Sequence, residues 1–205
     1  MDSVRPLPCR QSLSERPKSA TMFLELANAQ QRISELEKAL QEARAVALTD
    51  PLTGALNRRG FDEAYRRESA RARRKGACIA LAMIDLDDFK KINDEFGHAT
   101  GDGALVQLVR ILRSGLRPSD ILCRFGGEEF VVLLPETRRG DAAAAIRRIQ
   151  RRFAAQTLPG TETQLTFSAG VTAQNCGESL EETLARVDAA TYTAKRNGKN
   201  CVVTG

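Results

Sequence analysis

The chain has 205 residues, enough for one globular domain plus an extension, and carries a net charge of +5. No apolar run is long enough for a secretory signal or a membrane anchor, and the cysteines at 9, 78, 123, 176 and 201 show no CxxC or other metal spacing, which fits a reduced cytoplasmic protein. The Arg-Arg pairs at 58–59, 66–67, 73–74, 138–139, 147–148 and 151–152 sit on helical stretches without aromatic stacking platforms, and residues 176–186 are acidic, so solvated helix faces fit better than a nucleic-acid surface.

Residues 1–20 hold three prolines, several serines and mixed charge, a composition that predicts a disordered tail. From 21 to 47 the pattern is helical. Met22, Leu26, Ala29, Ile33, Leu36, Leu40, Ala43 and Ala47 alternate four and three apart, an a/d seam that predicts a coiled coil. An amphipathic helix packed on its own domain is the alternative. Thr49-Asp50-Pro51 interrupts the helix, and a second helix is predicted over 59–75. Residues 1–20, with that composition, are not expected to form a sensor domain ahead of the coil.

Ala77-Cys78-Ile79-Ala80-Leu81-Ala82-Met83-Ile84 reads as a buried strand over 77–85, ending in the acids of Asp85-Leu86-Asp87-Asp88. Carboxylates at a strand end can hold Mg²⁺, which prefers hard oxygen ligands. Asp87 and Asp88 are equally read as a solvated cap of the next helix. Short helices are predicted over 88–96 and 102–116, with Gly97–Gly103 as the loop between them. Asn93 and Asp102 offer an amide and a carboxylate that could read a guanine edge, or Asp102 is the N-cap of its helix. His98 reads as a hydrogen-bonded loop residue.

Arg117-Pro118-Ser119-Asp120 suits a helix-to-strand turn, or a contact to phosphate and guanine. A hairpin is predicted over 121–134, where two apolar runs flank Gly126-Gly127-Glu128-Glu129-Phe130; a Gly-Gly turn of the primed type would bring positive φ and put both glutamates at its tip. That pentapeptide suits a polar turn or a metal-bound polyphosphate. Helix 140–156, strand 164–173, helix 179–196 and strand 200–204 follow. Cys78, Cys123 and Cys201 fall in predicted strands and read as small buried hydrophobes. The β-α-β-β-α-β plan predicts an α/β sandwich of the ferredoxin-like kind with a largely antiparallel central sheet.

Five blocks occur in one order: Asp50-Pro51-Leu52-Thr53-Gly54-Ala55-Leu56-Asn57-Arg58-Arg59; Asp85-Leu86-Asp87-Asp88-Phe89-Lys90-Lys91-Ile92-Asn93-Asp94; Phe96-Gly97-His98 with Gly101-Asp102; Arg124-Phe125-Gly126-Gly127-Glu128-Glu129-Phe130; and Tyr192-Thr193-Ala194-Lys195-Arg196-Asn197-Gly198-Lys199-Asn200. Over about residues 48–205 the chain resembles the GGDEF family of diguanylate cyclases, with the signature in its GGEEF form. The resemblance implies a palm-type nucleotidyl cyclase fold and a catalytic domain over 48–205, behind a coil at 21–47 and a tail at 1–20.

The resemblance also implies the site. Asp85, Glu128 and the Leu86 carbonyl correspond to the metal ligands, and Glu128 and Glu129 to the catalytic acids. The implied cofactor is Mg²⁺ or Mn²⁺, two ions per site. Asn93 and Asp102 correspond to the guanine-reading pair, Gly126 and Gly127 to the room left for the nucleotide, and Phe89, Lys90, Lys195 and Lys199 to the phosphate-binding set. Position 199 is often arginine in this family; lysine keeps the charge and loses the bidentate fork. Arg117 and Asp120 match an RxxD inhibitory site, with Arg148 as its second arginine.

The implied reaction condenses two GTP into cyclic di-GMP and two pyrophosphates across a homodimer or higher oligomer. The product inhibits it, in bacterial second-messenger control of biofilm or motility. A regulatory protein on the coil or tail is a further expected partner; nucleic acid and membrane are not. Rival readings are a GGDEF domain that binds nucleotide without catalysis, a palm-type cyclase with another product, and a coiled-coil scaffold.

Overall fold

The computed structural model describes residues 17–158 and 161–205. Most of the expected tail, residues 1–16 with Cys9, lies outside the described residues. The chain divides into two units, one up to Ala45 and one from Val46 to Gly205.

Helix α1 spans Pro17–Leu48 and so begins inside the segment expected to be disordered. Proline tolerates the first helical position because its missing N–H would have no intrahelical partner there. The seam side chains Met22, Leu26, Ile33, Leu36 and Leu40 are exposed, at 51–68%.

The second unit carries α2 (Arg58–Lys75), β1 (Ile79–Leu86), α3 (Phe89–Phe96), α4 (His98–Gly115), β2 (Ile121–Arg124), β3 (Glu129–Pro135), α5 (Arg139–Ala154), β4 (Phe167–Ala173), α6 (Leu180–Arg196) and β5 (Val202–Thr204). The strands lie in the order β2-β3-β1-β4-β5. Among the described strands, three pairings are antiparallel and the β4–β5 pairing is parallel. This is the ferredoxin-like, palm-type sandwich with one further edge strand.

All eight residues of β1 are buried, because helices cover both faces of the sheet. Ala80, Ala82, Ile84 and Leu86 join the core that includes α4 and α5, whereas Ile79, Leu81 and Met83 join the core that includes Phe61 and Tyr65 of α2 and Val187 of α6. Each fully buried Leu or Ile contributes about 1.5–3 kcal/mol. A one-residue slip would exchange the two faces, so this alternation pins the register and sends Asp85 to the α2/α6 side.

Two local expectations change. The segment expected as a loop over Gly97–Gly103 is mostly helix: α4 begins at His98, so Asp102 lies within the helix and is not its N-cap. Gly97, at φ 80°, turns the chain between α3 and α4 without a loop. Cys78 lies before β1 and is exposed, while Cys123 is buried and Cys201 intermediate. No helix among the described residues is long and apolar enough to cross a membrane.

Candidate active site

The register of the sheet builds the site. Asp85 pairs with Glu129 across β1 and β3, and the Leu86 N–H donates to the Glu128 carbonyl at 3.3 Å. The acids at the end of β1 and those at the start of β3 therefore meet at one edge of the unit. Helix α6 brings a cation to the same place. A Cβ at Gly170 of β4 would lie 2.3 Å from the Val187 carbonyl, so only glycine allows α6 to approach this closely. Thr191 secures the approach: its hydroxyl accepts from the Gly170 N–H at 3.0 Å and donates to the Val187 carbonyl at 2.8 Å. One turn later Lys195 reaches Asp85, with Nζ to Oδ2 at 2.6 Å.

Asp85 is 5% exposed, and its Oδ1 is buried without a hydrogen-bond partner. Burial pushes its carboxyl above the ordinary range; Lys195 pulls it back, and Asp87 and Asp188 push it further up. Burial also raises Glu128, reinforced by Asp85 and Glu129 and opposed by Lys195. Desolvated carboxylates that share one lysine form a site in need of more positive charge.

The turn between β2 and β3 differs from the primed Gly-Gly hairpin. Neither Gly126 nor Gly127 has positive φ. The turn runs from Phe125 to Glu128, and the N–H groups of Phe125 and Gly126 donate to the Glu129 carbonyl at 2.8 and 3.2 Å. Spreading the reversal over more residues removes the need for a mirror-image turn. Glycine at 126 serves space instead, since a Cβ would lie 2.3 Å from the Glu129 carboxylate. At Gly127 a Cβ would meet nothing within 4 Å, so that surface is open.

Arg124 fastens this turn. Its guanidinium donates to the Gly127 carbonyl at 2.7 and 3.2 Å and to both Asp50 oxygens at 3.2 Å. Asp50 also accepts from the Thr53 N–H and hydroxyl, at 2.9 and 2.6 Å. Neither residue carried a role in the sequence reading, although both lie in quoted blocks.

The acids after Asp85 separate. Asp87 is 6% exposed and accepts from the hydroxyls of Thr166 and Ser168 and the N–H of Asn200, at 2.8, 2.7 and 3.0 Å. It is no solvated cap. Asp88 occupies the N-cap position of α3 without a side-chain capping bond; it faces Lys199 at 2.8 Å and Lys91 at 2.7 Å. Hydrogen bonds from Lys199 and Lys91 hold its carboxyl below the ordinary range.

Beside the acids, Phe89 opens α3 and Asn93 lies one turn on, with its Oδ1 buried and unpartnered. A Cβ at Gly101 would lie 1.9 Å from that oxygen and 3.2 Å from the Phe89 ring, so glycine at 101 keeps the Asn93 amide in place. Asp102 and Lys90 are exposed. His98 is exposed at the start of α4.

A second constellation lies away from these acids. A cavity of about 410 Å³ is lined by Arg117, Asp120, Arg148 and Arg151. Arg117 N–H donates to Asp120 Oδ2 at 2.8 Å, and Asp120 Oδ1 is buried without a partner. Arg148 donates to the Gly115 carbonyl at 3.0 Å. Arg151 was missed in the sequence, where its spacing of one helical turn from Arg148 was the available signal.

The donor set fits a magnesium-class ion. Asp85 offers a buried oxygen with no other partner, Glu128 adds a second carboxylate, and the Leu86 carbonyl is a hard oxygen. Among the described residues no three His, Cys, Asp or Glu side chains cluster as a complete cage. That suits magnesium, which completes its shell with water and substrate phosphates.

Residues 47–201 match the family model described as "Diguanylate cyclase, GGDEF domain". The chain is 44% identical over 163 residues to the diguanylate cyclase DgcP of Pseudomonas aeruginosa, covering 78% of this chain and 24% of that one. It spans less than half the length of the first curated relatives it matches. Among solved structures, it is similar to the coiled coil and GGDEF domain of DgcB from Caulobacter crescentus in complex with c-di-GMP, with TM-score 0.82, 30% identity, and 90% and 100% of the two chains covered. It is also similar to the diguanylate cyclase SiaD of Pseudomonas aeruginosa in complex with its activator SiaC, with TM-score 0.75, 39% identity, and 95% and 76% covered.

Proposed function

The chain belongs to the GGDEF family, and from that premise we propose that it is a diguanylate cyclase, which condenses two GTP into cyclic di-GMP and two pyrophosphates. The carrying observation is the buried Asp85 carboxylate, half satisfied by Lys195 and half unpartnered, beside Glu128 at the glycine turn.

Asp85, Glu128 and the Leu86 carbonyl would hold two magnesium or manganese ions, which when bound would offset the triphosphate charge and favour ionisation of the attacking 3′-hydroxyl. Lys195, which pairs with Asp85 at 2.6 Å, supplies the cation beside those acids and within the phosphate-binding set. Lys90, Lys199 and the Phe89 N–H complete the phosphate contacts. Glu129 lines the same turn as a further acid near the reacting atoms. Asn93 and Asp102 take the guanine, whose N–H donors suit an acid at 102 better than an adenine would. The 3′-hydroxyl of one GTP attacks the α-phosphate of the other and expels pyrophosphate. Rate comes from positioning and electrostatics, as in other phosphoryl transfers.

One domain holds one GTP, so the active species has two domains facing each other. The α1 seam supplies the dimer contact at high effective concentration. Cyclic di-GMP returns to the Arg117–Asp120–Arg148 cavity as an inhibitor, and a protein on the coil is the further source of control. The GTP substrate makes the cytoplasm the compartment, and second-messenger signalling to motility or biofilm the setting.

The test is incubation of the purified chain with GTP and Mg²⁺, followed by chromatography. Cyclic di-GMP should appear, and should be lost in Asp85→Asn and Glu128→Gln with circular dichroism unchanged. GTP binding without product in the unaltered chain, at any protein concentration, would overturn the reading in favour of a nucleotide-binding domain without catalysis.

A further inference from the structure

The loop after α6 has a backbone that its residues do not favour. Lys199 and Asn200 both have left-handed φ, at 64° and 47°. Left-handed φ is uncommon for lysine and better tolerated by asparagine, and two such residues in succession need their surroundings to hold them. Two side chains from distant elements do so, and both are buried. Asp87, just past β1, accepts from the Asn200 N–H at 3.0 Å. Gln150 of α5 donates from Nε2 to the Asn200 carbonyl at 2.9 Å and to the Asn200 side-chain oxygen. Exposure is 6% for Asp87 and 8% for Gln150. Asp87 is itself fixed by the Thr166 and Ser168 hydroxyls at 2.8 and 2.7 Å. The peptide on each side of Asn200 is thus gripped from opposite directions.

The grip on Asn200, together with the Lys199 N–H donating to the Ala194 carbonyl at 3.2 Å, sets where Lys199 points. Its Nζ lies 2.8 Å from Asp88 Oδ2, at the N-terminus of α3, where the Phe89 N–H also opens. Lysine has a single ammonium on a flexible stem, and it lacks the planar fork with which arginine finds a phosphate in a fixed orientation. Here the backbone supplies the orientation that the side chain cannot.

We infer that Asp87 and Gln150 are positioning residues that clamp Asn200 in a left-handed conformation and so hold Lys199 at the triphosphate of the bound nucleotide. The inference rests on the reading of the site as a GTP site. The clamp persists while Lys199 exchanges Asp88 for a phosphate, so the loop need not be reordered when nucleotide binds. Gln150 touches no substrate and acts only through Asn200 and Lys199.

The experiment is calorimetric binding of α,β-methylene-GTP with Mg²⁺ to the full chain, with the melting temperature recorded for every variant. Gln150→Met keeps length and volume and loses the donor. It should weaken binding about 3–10-fold, the effect of one hydrogen bond. Lys199→Ala should weaken binding too, and Gln150→Met should then add nothing. Asn200→Gly, which lacks the side-chain acceptor of Gln150 and reaches left-handed φ without a Cβ penalty, should make affinity less sensitive to Gln150→Met.

A merely structural Gln150 would weaken binding equally with and without the Lys199 amine, and that additivity would overturn the clamp. Unchanged affinity in Gln150→Met would do so as well. Should Gln150→Met not fold, Asp87→Asn enters the same cycle with Lys199→Ala and is read the same way. Failure of the unaltered chain to bind the analogue would instead count against the GTP site.

Discussion

Asp50 and Arg124 show how one ion pair connects the segment after α1 to the glycine turn. Burial pushes the Asp50 carboxyl up, but the Thr53 hydroxyl and N–H and the Arg124 guanidinium together bring it below its ordinary value of 3.8. A lowered carboxyl stabilises the fold above that value, and the contribution is lost as pH falls below it. Loss of these charge-assisted hydrogen bonds in Asp50→Asn should cost about 1.5–3 kcal/mol at pH 7, and the gap to the unaltered chain should narrow progressively as pH falls through and below 3.8 in urea melts at stepped pH. It should also loosen the Gly127 end of the turn and lower turnover. At Gly101, alanine should press on the Asn93 amide, raise the KM for GTP several-fold and leave the melting temperature within about 4 °C, which steady-state kinetics and a thermal melt would check. Glu128→Gln removes a carboxyl whose charge is disfavoured by burial and by Asp85, so the melting temperature at pH 7 should rise or hold while product is abolished.

At the scale of elements, α1 and α6 carry opposite signatures. Helix α6 has a capping box at Ser179–Glu182 and packs on β4 and β1 through Thr191, which accepts from the Gly170 N–H and donates to the Met83 carbonyl at 3.3 Å. Helix α1 presents its apolar seam to solvent along the described residues, and under the proposed function that seam is the contact between two copies. Leu36 is 68% exposed and lies mid-seam. Leu36→Glu should shift the chain toward monomer in sedimentation velocity. Turnover per chain should fall more than tenfold at nanomolar protein and recover as concentration rises, because the variant alters encounter and leaves each site intact. Equal activity of the two forms at every concentration would remove α1 from the dimer contact.

At the scale of the whole molecule, the two constellations lie on different parts of one sandwich. The acids gather where β1 and β3 face α6, and the arginine cavity lies where the turn before β2 meets α5. Under the proposed function, product bound at the second need not compete with GTP bound at the first. Cyclic di-GMP should therefore lower turnover without raising the KM for GTP, and Arg117→Ala or Arg151→Ala should raise the inhibitory concentration at least tenfold with the product-free initial rate kept within about twofold. Inhibition that added GTP relieves would place the product at the catalytic acids instead.

From the sequence alone, the strand carrying Asp85 and the acids after Gly126-Gly127 were legible, because hydrophobic period and short motifs are local signals, whereas Lys195 and the Arg117–Asp120 pair came from the family resemblance. The order β-α-β-β-α-β was legible from the same local signals, and so was the helical period of α1. Only the tertiary structure decided that Asp87 is a buried anchor and Asp88 an exposed partner of two lysines, since adjacent acids look alike until a strand end sends them in different directions. It also decided that Arg124 reaches Asp50 across 74 positions and that Asp87 reaches Asn200 across 113. Partners that far apart are joined by sheet register and helix packing, and no spacing in the chain encodes them.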